Sequence, residues 1–211
     1  MVRSMIVLLG MLPLLSVGQA SWELEWLHQL AENRTAGKNQ FYQVVSDANA
    51  PLTIGIPAGW LAVGLIKQDT RITQEGLRWM AAQVVNRVVT TTLKVVVNRS
   101  RPAVADPTLV ALEDARKHSF PSGHTSSVFA LATSISLDYP KWYIIAPAYL
   151  GASLMGYTRC YLGVHYPSDV VAGAVLGTAC AWTTHQAQKW IRRSTKEKQK
   201  RNQLTYLYTV Y

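Results

Sequence analysis

Apolar residues gather into five stretches along the chain, at about residues 54–66, 79–97, 126–137, 142–157 and 170–182, with polar breaks between them. Their lengths predict helices, and the Gln, Asn and Thr inside several of them predict faces turned toward other helices. The run Ala172-Gly173-Ala174-Val175-Leu176-Gly177 offers small side chains that let two helix backbones approach closely. The expected fold is all-α: a bundle of about five core helices, transmembrane in character, after an N-terminal signal or first membrane helix.

Residues 1–20 set that last alternative. They hold Arg3, an apolar run from Met5 to Leu15, and the small residues Gly18 and Ala20, as an export signal or an uncleaved membrane anchor does. The run falls short of the roughly 20 residues that span a bilayer, which favours the signal. Residues 21–50 follow as an amphipathic, extracytoplasmic lead-in marked by Trp22, Trp26, Leu27 and Leu30. Residues 51–190 form the single helical domain, and residues 191–211 a basic and aromatic tail. From Tyr206 to Tyr211 aromatic residues alternate with others, like a short strand or an interfacial anchor.

The 211 residues carry a net charge of +9, which raises the question of nucleic acid. Seven of the 21 Lys and Arg, however, fall between Lys189 and Arg201, where the orientation of a membrane protein accounts for them. The expected partner is therefore the bilayer and not nucleic acid. Counting spans from an outer Ser21 puts the breaks at Lys67 and Lys141 inside, together with the Lys189 cluster. The same count puts Arg101 and Arg159 outside. Cys160 and Cys180 lack metal-ligand spacing and are expected as small packing residues, with a disulfide left open for an oxidising compartment.

Three short segments, all on the outer side by this count, carry candidate chemistry: Lys94 with Arg101-Pro102, then Pro121-Ser122-Gly123-His124, then Arg159 with His165 and Asp169. Lys94, Arg101 and Arg159 can neutralise a dianionic phosphoryl group, and the arginines offer planar forks for its oxygens. Lys94 stands between apolar and Thr residues, where a charge is costly without a partner. Pro121 to Gly123 are expected as a helix's first turn, with the Ser122 hydroxyl and the free backbone amides on phosphate oxygens. Pro167 can start the helix that contains Asp169, which puts His165 at its mouth. Asp169 can then fix one ring nitrogen and leave the other as a lone pair, with one histidine as nucleophile and the other as proton donor.

Each feature alone has a plainer reading: a helix cap at 121–123, a structural histidine, basic residues at a membrane interface. Arg99 is assigned to that last class, His28 and His185 to the surface, and His118 to the entrance of the pocket. Residues 103–120 are expected as a loop over the pocket from which headgroup selectivity arises.

In order and spacing the three segments resemble the signature of the type 2 phosphatidic acid phosphatase superfamily: Lys, six residues, Arg-Pro; Pro-Ser-Gly-His; Ser-Arg, five residues, His, three residues, Asp. The resemblance covers about residues 79–187, with Thr158 in the place of the usual Ser and a hydroxyl able to make the same bond. It implies that His165 attacks phosphorus to give a phosphohistidine, that Asp169 orients it, and that His124 protonates the leaving oxygen. Lys94, Arg101, Ser122, Gly123 and Arg159 would hold the phosphate, and no metal or cofactor is required. The activity implied is a metal-independent phosphatase for phosphate or pyrophosphate esters of membrane lipids, at the inner (cytoplasmic) membrane with its site facing the periplasm or outside. The alternatives are a soluble periplasmic acid phosphatase for small phosphomonoesters and a non-catalytic phospholipid-binding membrane protein. The two histidine roles predict a bell-shaped dependence of rate on pH.

Overall fold

The structure, a computed structural model, describes residues 21–115 and 118–210, so the expected signal at residues 1–20 lies outside the described residues. Among the described residues every regular element is helical. The lead-in folds as α1 (Ser21–Glu32) and α2 (Ala36–Asp47), and a π-helical turn (Pro51–Gly55) carries α2 into α3 (Ile56–Ile66). The core continues with α4 (Thr70–Val97), the short α5 (Pro102–Ala105), α6 (Gly123–Asp138), α7 (Trp142–Tyr161) and α8 (Pro167–Val210). All five apolar stretches thus became helices.

Local chemistry sets the helix limits. Asp69 caps α4, its Oδ1 accepting from the N–H groups of Arg71 at 2.8 Å and Ile72 at 3.2 Å. That cap starts α4 at Thr70, nine residues before its apolar stretch begins. Helix α8 runs on through the basic cluster to Val210, so of the two readings of residues 206–211, strand or interfacial anchor, the strand is replaced by helix as far as Val210. With five Lys and Arg among residues 192–200 and few breakers, propensity favours continuing the helix.

Cross-helix contacts fix the directions. Gly173 and Gly177 of α8 lie against Ser122 and Ser126, so α8 runs parallel to α6. Gln83 of α4 donates to the Ser127 carbonyl at 3.1 Å and Trp79 Nε1 to Asp138 Oδ2 at 2.7 Å, so α4 runs antiparallel to α6. Gly156 of α7 meets Thr125, and Tyr149 hydrogen-bonds Thr133 at 2.8 Å, which makes α7 antiparallel as well. The ends carrying Lys94, Ser122, Arg159 and Pro167 therefore gather at one end of the bundle.

The opposite end is held by buried polar pairs. Arg78 binds Asp138 and Gln188, while Glu75 Oε2 accepts from Tyr139 at 2.6 Å and Trp60 at 3.1 Å. His185, expected at the surface, is buried in this group with Nδ1 3.9 Å from Asp138 Oδ1, because the helix face that bears it packs inward. Cys160 and Cys180 are both free and buried, as packing residues. Among the described residues one helical stretch, Ala36–Ile66, is long and apolar enough by itself to cross a bilayer. The other core helices carry inward-facing polar residues, which lowers their hydropathy.

The approach of α8 to α6 yields a direct test. A Cβ at Gly177 would run into the Ser126 carbonyl oxygen and approach the Ala130 nitrogen within 2.9 Å. Gly177→Val should cost about 3 kcal/mol or more of stability, read as a large fall in the melting temperature of the purified protein.

Candidate active site

Helix ends deliver each candidate residue. Helix α4 stops at Asn98, whose left-handed conformation (φ 50°) closes its N–H onto the Lys94 carbonyl at 3.1 Å. The chain then passes Arg99 and turns at Arg101, held extended by the Pro102 that follows. Helix α6 begins at Gly123 with Ser122 as its N-cap, so the turn expected from Pro121 starts two residues later. Arg159 lies in the last turn of α7, and Pro167 opens α8 with Asp169 in its first turn. The Asp169 Oδ2 reaches back to the Tyr166 N–H at 3.0 Å, which satisfies one of the helix's orphan donors.

The three cations converge on oxygens of a single loop. Lys94 Nζ donates to the carbonyls of His118 at 2.9 Å and Ser119 at 3.2 Å, and Arg101 Nη1 to the Asp114 carbonyl at 3.1 Å. Arg159, 2% exposed, pairs with Glu113 Oε2 at 2.9 Å and also bonds Ser46 of α2. Burial would raise the Glu113 pKa, but Arg159 and Ser46 outweigh it and hold the carboxyl below its ordinary value. His124 is half-buried and sits in the field of Arg159, Glu113, Arg101 and Lys94. A Cβ at Gly123 would stand 3.9 Å from Lys94 Cε, so the start of α6 faces that lysine.

Two hydroxyls of the motifs have partners within the protein. Ser122 is fully buried, and its hydroxyl oxygen accepts from Thr125 Oγ1 at 2.9 Å. Thr158 spends its hydroxyl on the Leu154 carbonyl one turn back, at 2.8 Å. His118 is exposed and contributes its carbonyl, as described for Lys94.

His165 Nδ1 lies 3.5 Å from Asp169 Oδ2 and 3.4 Å from Ser119 Oγ, with the ring 2% exposed. Burial pushes the imidazole down to about 3, against the pull of Asp169, and the charges of Arg159 and Arg101 act in the same direction as burial. The free ring is therefore neutral through the neutral range, which moves the acid limb expected of the rate well below pH 6.

Arg99 is the main correction to the reading from sequence. It is no interfacial residue: Nη1 donates to Asp169 Oδ1 and Ser168 Oγ, both at 2.7 Å, and Nη2 to Glu23 Oε2 at 2.9 Å. Ser119 also bonds Asp169 Oδ2. Glu23, Ser46 and Ser119 carry no motif and join the site only through the fold, while Glu113 belongs to the loop expected over the pocket. The one available signal was an acidic residue, Glu23, inside an otherwise apolar and aromatic face.

Comparison with known proteins agrees with this geometry. A family model described as the PAP2 superfamily matches residues 76–193. An undecaprenyl-diphosphatase of Sulfolobus acidocaldarius is 31% identical over 131 residues, 61% of this chain and 63% of that protein. A lipid A 4'-phosphatase of Bacteroides thetaiotaomicron is 37% identical over 98 residues, 43% of each chain. The chain thus spans less than two thirds of the length of these curated relatives. The crystal structure of Aquifex aeolicus LpxE superposes with a TM-score of 0.67 at 27% identity, covering 81% of this chain and 98% of that one.

The buried imidazole gives a prediction with a definite sign. A histidine whose pKa is depressed in the folded state stays neutral until pH falls far below the ordinary value of about 6.5. A titration followed by 15N-histidine NMR should find His165 neutral from pH 8 down to pH 5. Protonation of His165 near pH 6.5 would contradict the burial described.

Proposed function

This chain belongs to the PAP2 superfamily, whose model covers more than half of it, and from that premise we propose that it hydrolyses phosphate esters of membrane lipids through a phosphohistidine at His165. The observation that carries the reading is the gathering of Lys94, Arg101, Arg159, His124 and the His165–Asp169 pair at one end of the bundle. Simple binding of an anion needs the cations alone. A buried neutral imidazole backed by a carboxylate adds a nucleophile.

In the proposed reaction the cations and the α6 amides hold the phosphoryl oxygens. The His165 Nε2 lone pair attacks phosphorus, the P–O bond to the lipid breaks, and His124 gives its proton to the leaving oxygen. Asp169 keeps the Nδ1 proton and stabilises the charge that the ring acquires. Water then attacks the phosphohistidine and its proton passes to His124, the P–N bond breaks, and free phosphate and the resting histidines are restored.

A bilayer setting is supported by the outward faces of the helices. Ile66 is 82% exposed, Leu150 70%, Val96 69% and Val175 62%, on four different core helices. A water-soluble phosphatase would leave these apolar faces wet, whereas lipid covers them. With the Lys189 cluster on the cytoplasmic side, the site faces the outside or the periplasm. The relatives' names point to lipid diphosphates and lipid A phosphates as substrate classes.

Phosphate release in detergent micelles with EDTA present, comparing a lipid diphosphate, a lipid monophosphate and a soluble ester, tests this reading. Release should favour the lipids, and His165→Ala should lower it by roughly 10³-fold or more. Equal release by the variant would refute the nucleophile, and a preference for the soluble ester would refute the lipid class. Glu113 pairs with Arg159, so an incoming anion competes with it. Glu113→Gln should tighten inorganic phosphate binding by about fivefold, measured by calorimetry.

A further inference from the structure

Glu23 on α1 is 3% exposed and stands more than fifty residues before the family-matched region, yet it reaches the site. Its Oε1 accepts from the Ser168 N–H at 2.9 Å, at the start of α8, and its Oε2 takes Arg99 Nη2. The other side of the Arg99 fork holds Asp169 Oδ1, and the guanidinium lies over the Tyr166 ring, 3.9 Å from its centroid. The planar fork is thus fixed by two carboxylates, a hydroxyl and an aromatic face.

This arrangement answers a problem posed by the site. Asp169 is a buried carboxylate that feels the charges of Lys94 and Arg101, which pull against its hold on the imidazole. Arg99 holds Oδ1 from the opposite side, which leaves Oδ2 facing His165 Nδ1. Glu23 fixes the fork and offsets its charge, so that Asp169 keeps its anionic character toward the ring. Resting on the reading of His165 as nucleophile, we infer that Glu23 and Arg99 are positioning residues that fix the His165 tautomer through Asp169, and that α1 is thereby part of the active site.

The test uses full-length protein with 15N-labelled histidine, in detergent, as wild type, Glu23→Gln, Glu23→Asp and Arg99→Ala. Long-range 1H–15N correlation reads the tautomer, and phosphate release from a lipid phosphate gives kcat and KM separately. Wild type should show His165 as the Nδ1–H form alone. Glu23→Gln and Arg99→Ala should each introduce the Nε2–H form and lower kcat roughly tenfold, with KM within about twofold. Glu23→Asp, which restores the charge, should return most of the Nδ1–H form. An unchanged tautomer in Glu23→Gln and Arg99→Ala overturns the inference, whatever happens to kcat or melting temperature. Should Arg99→Ala fail to fold, the nearly isosteric Glu23→Gln decides alone. If the wild type releases phosphate from no lipid, the lipid phosphatase reading fails, and the tautomer still decides the role of Glu23 and Arg99.

Discussion

Asp169 has no exposed surface, and a carboxylate without water must be supplied with donors by the protein. It receives them from Arg99, Ser119 and the Tyr166 amide, with the His165 ring beside it. These donors come from the end of α4, from the loop before α6 and from the turn before α8. Glu23 joins α1 to the same set through Arg99. Satisfying one buried charge therefore fixes the mutual placement of the segments that carry the candidate chemistry. The glycines that bring α6 against α7 and α8 serve that end, because a wider spacing would carry the start of α6 away from Asp169.

A second constraint is the cost of burying Lys94, Arg101 and Arg159 together. Each meets oxygens of Glu113, Asp114, His118 or Ser119, and Glu113 supplies a full negative charge to the most deeply buried of them, Arg159. These acceptors offset the cost of gathering three cations at one end of the bundle.

Much of the fold was legible because apolar stretches of helical length are local features. The five stretches became α3, α4, α6, α7 and α8, and their alternating directions set the motif ends side by side. What was misread depended on partners distant in the chain. Arg99 looked like an interfacial cation because its carboxylates, Glu23 and Asp169, lie 76 and 70 residues away. His185 looked superficial because Asp138, its neighbour, lies on another helix. The partners of the Ser122 and Thr158 hydroxyls, Thr125 and Leu154, follow from packing and not from a place in a motif.

The central claim is that one imidazole, kept neutral by burial and oriented by Asp169, forms a bond to phosphorus. It is tested most directly by trapping that bond. Protein mixed briefly with a 32P-labelled lipid phosphate and quenched in alkali should carry an acid-labile label on the peptide containing His165. Label on another residue, or none while a burst of product is released, would contradict the account.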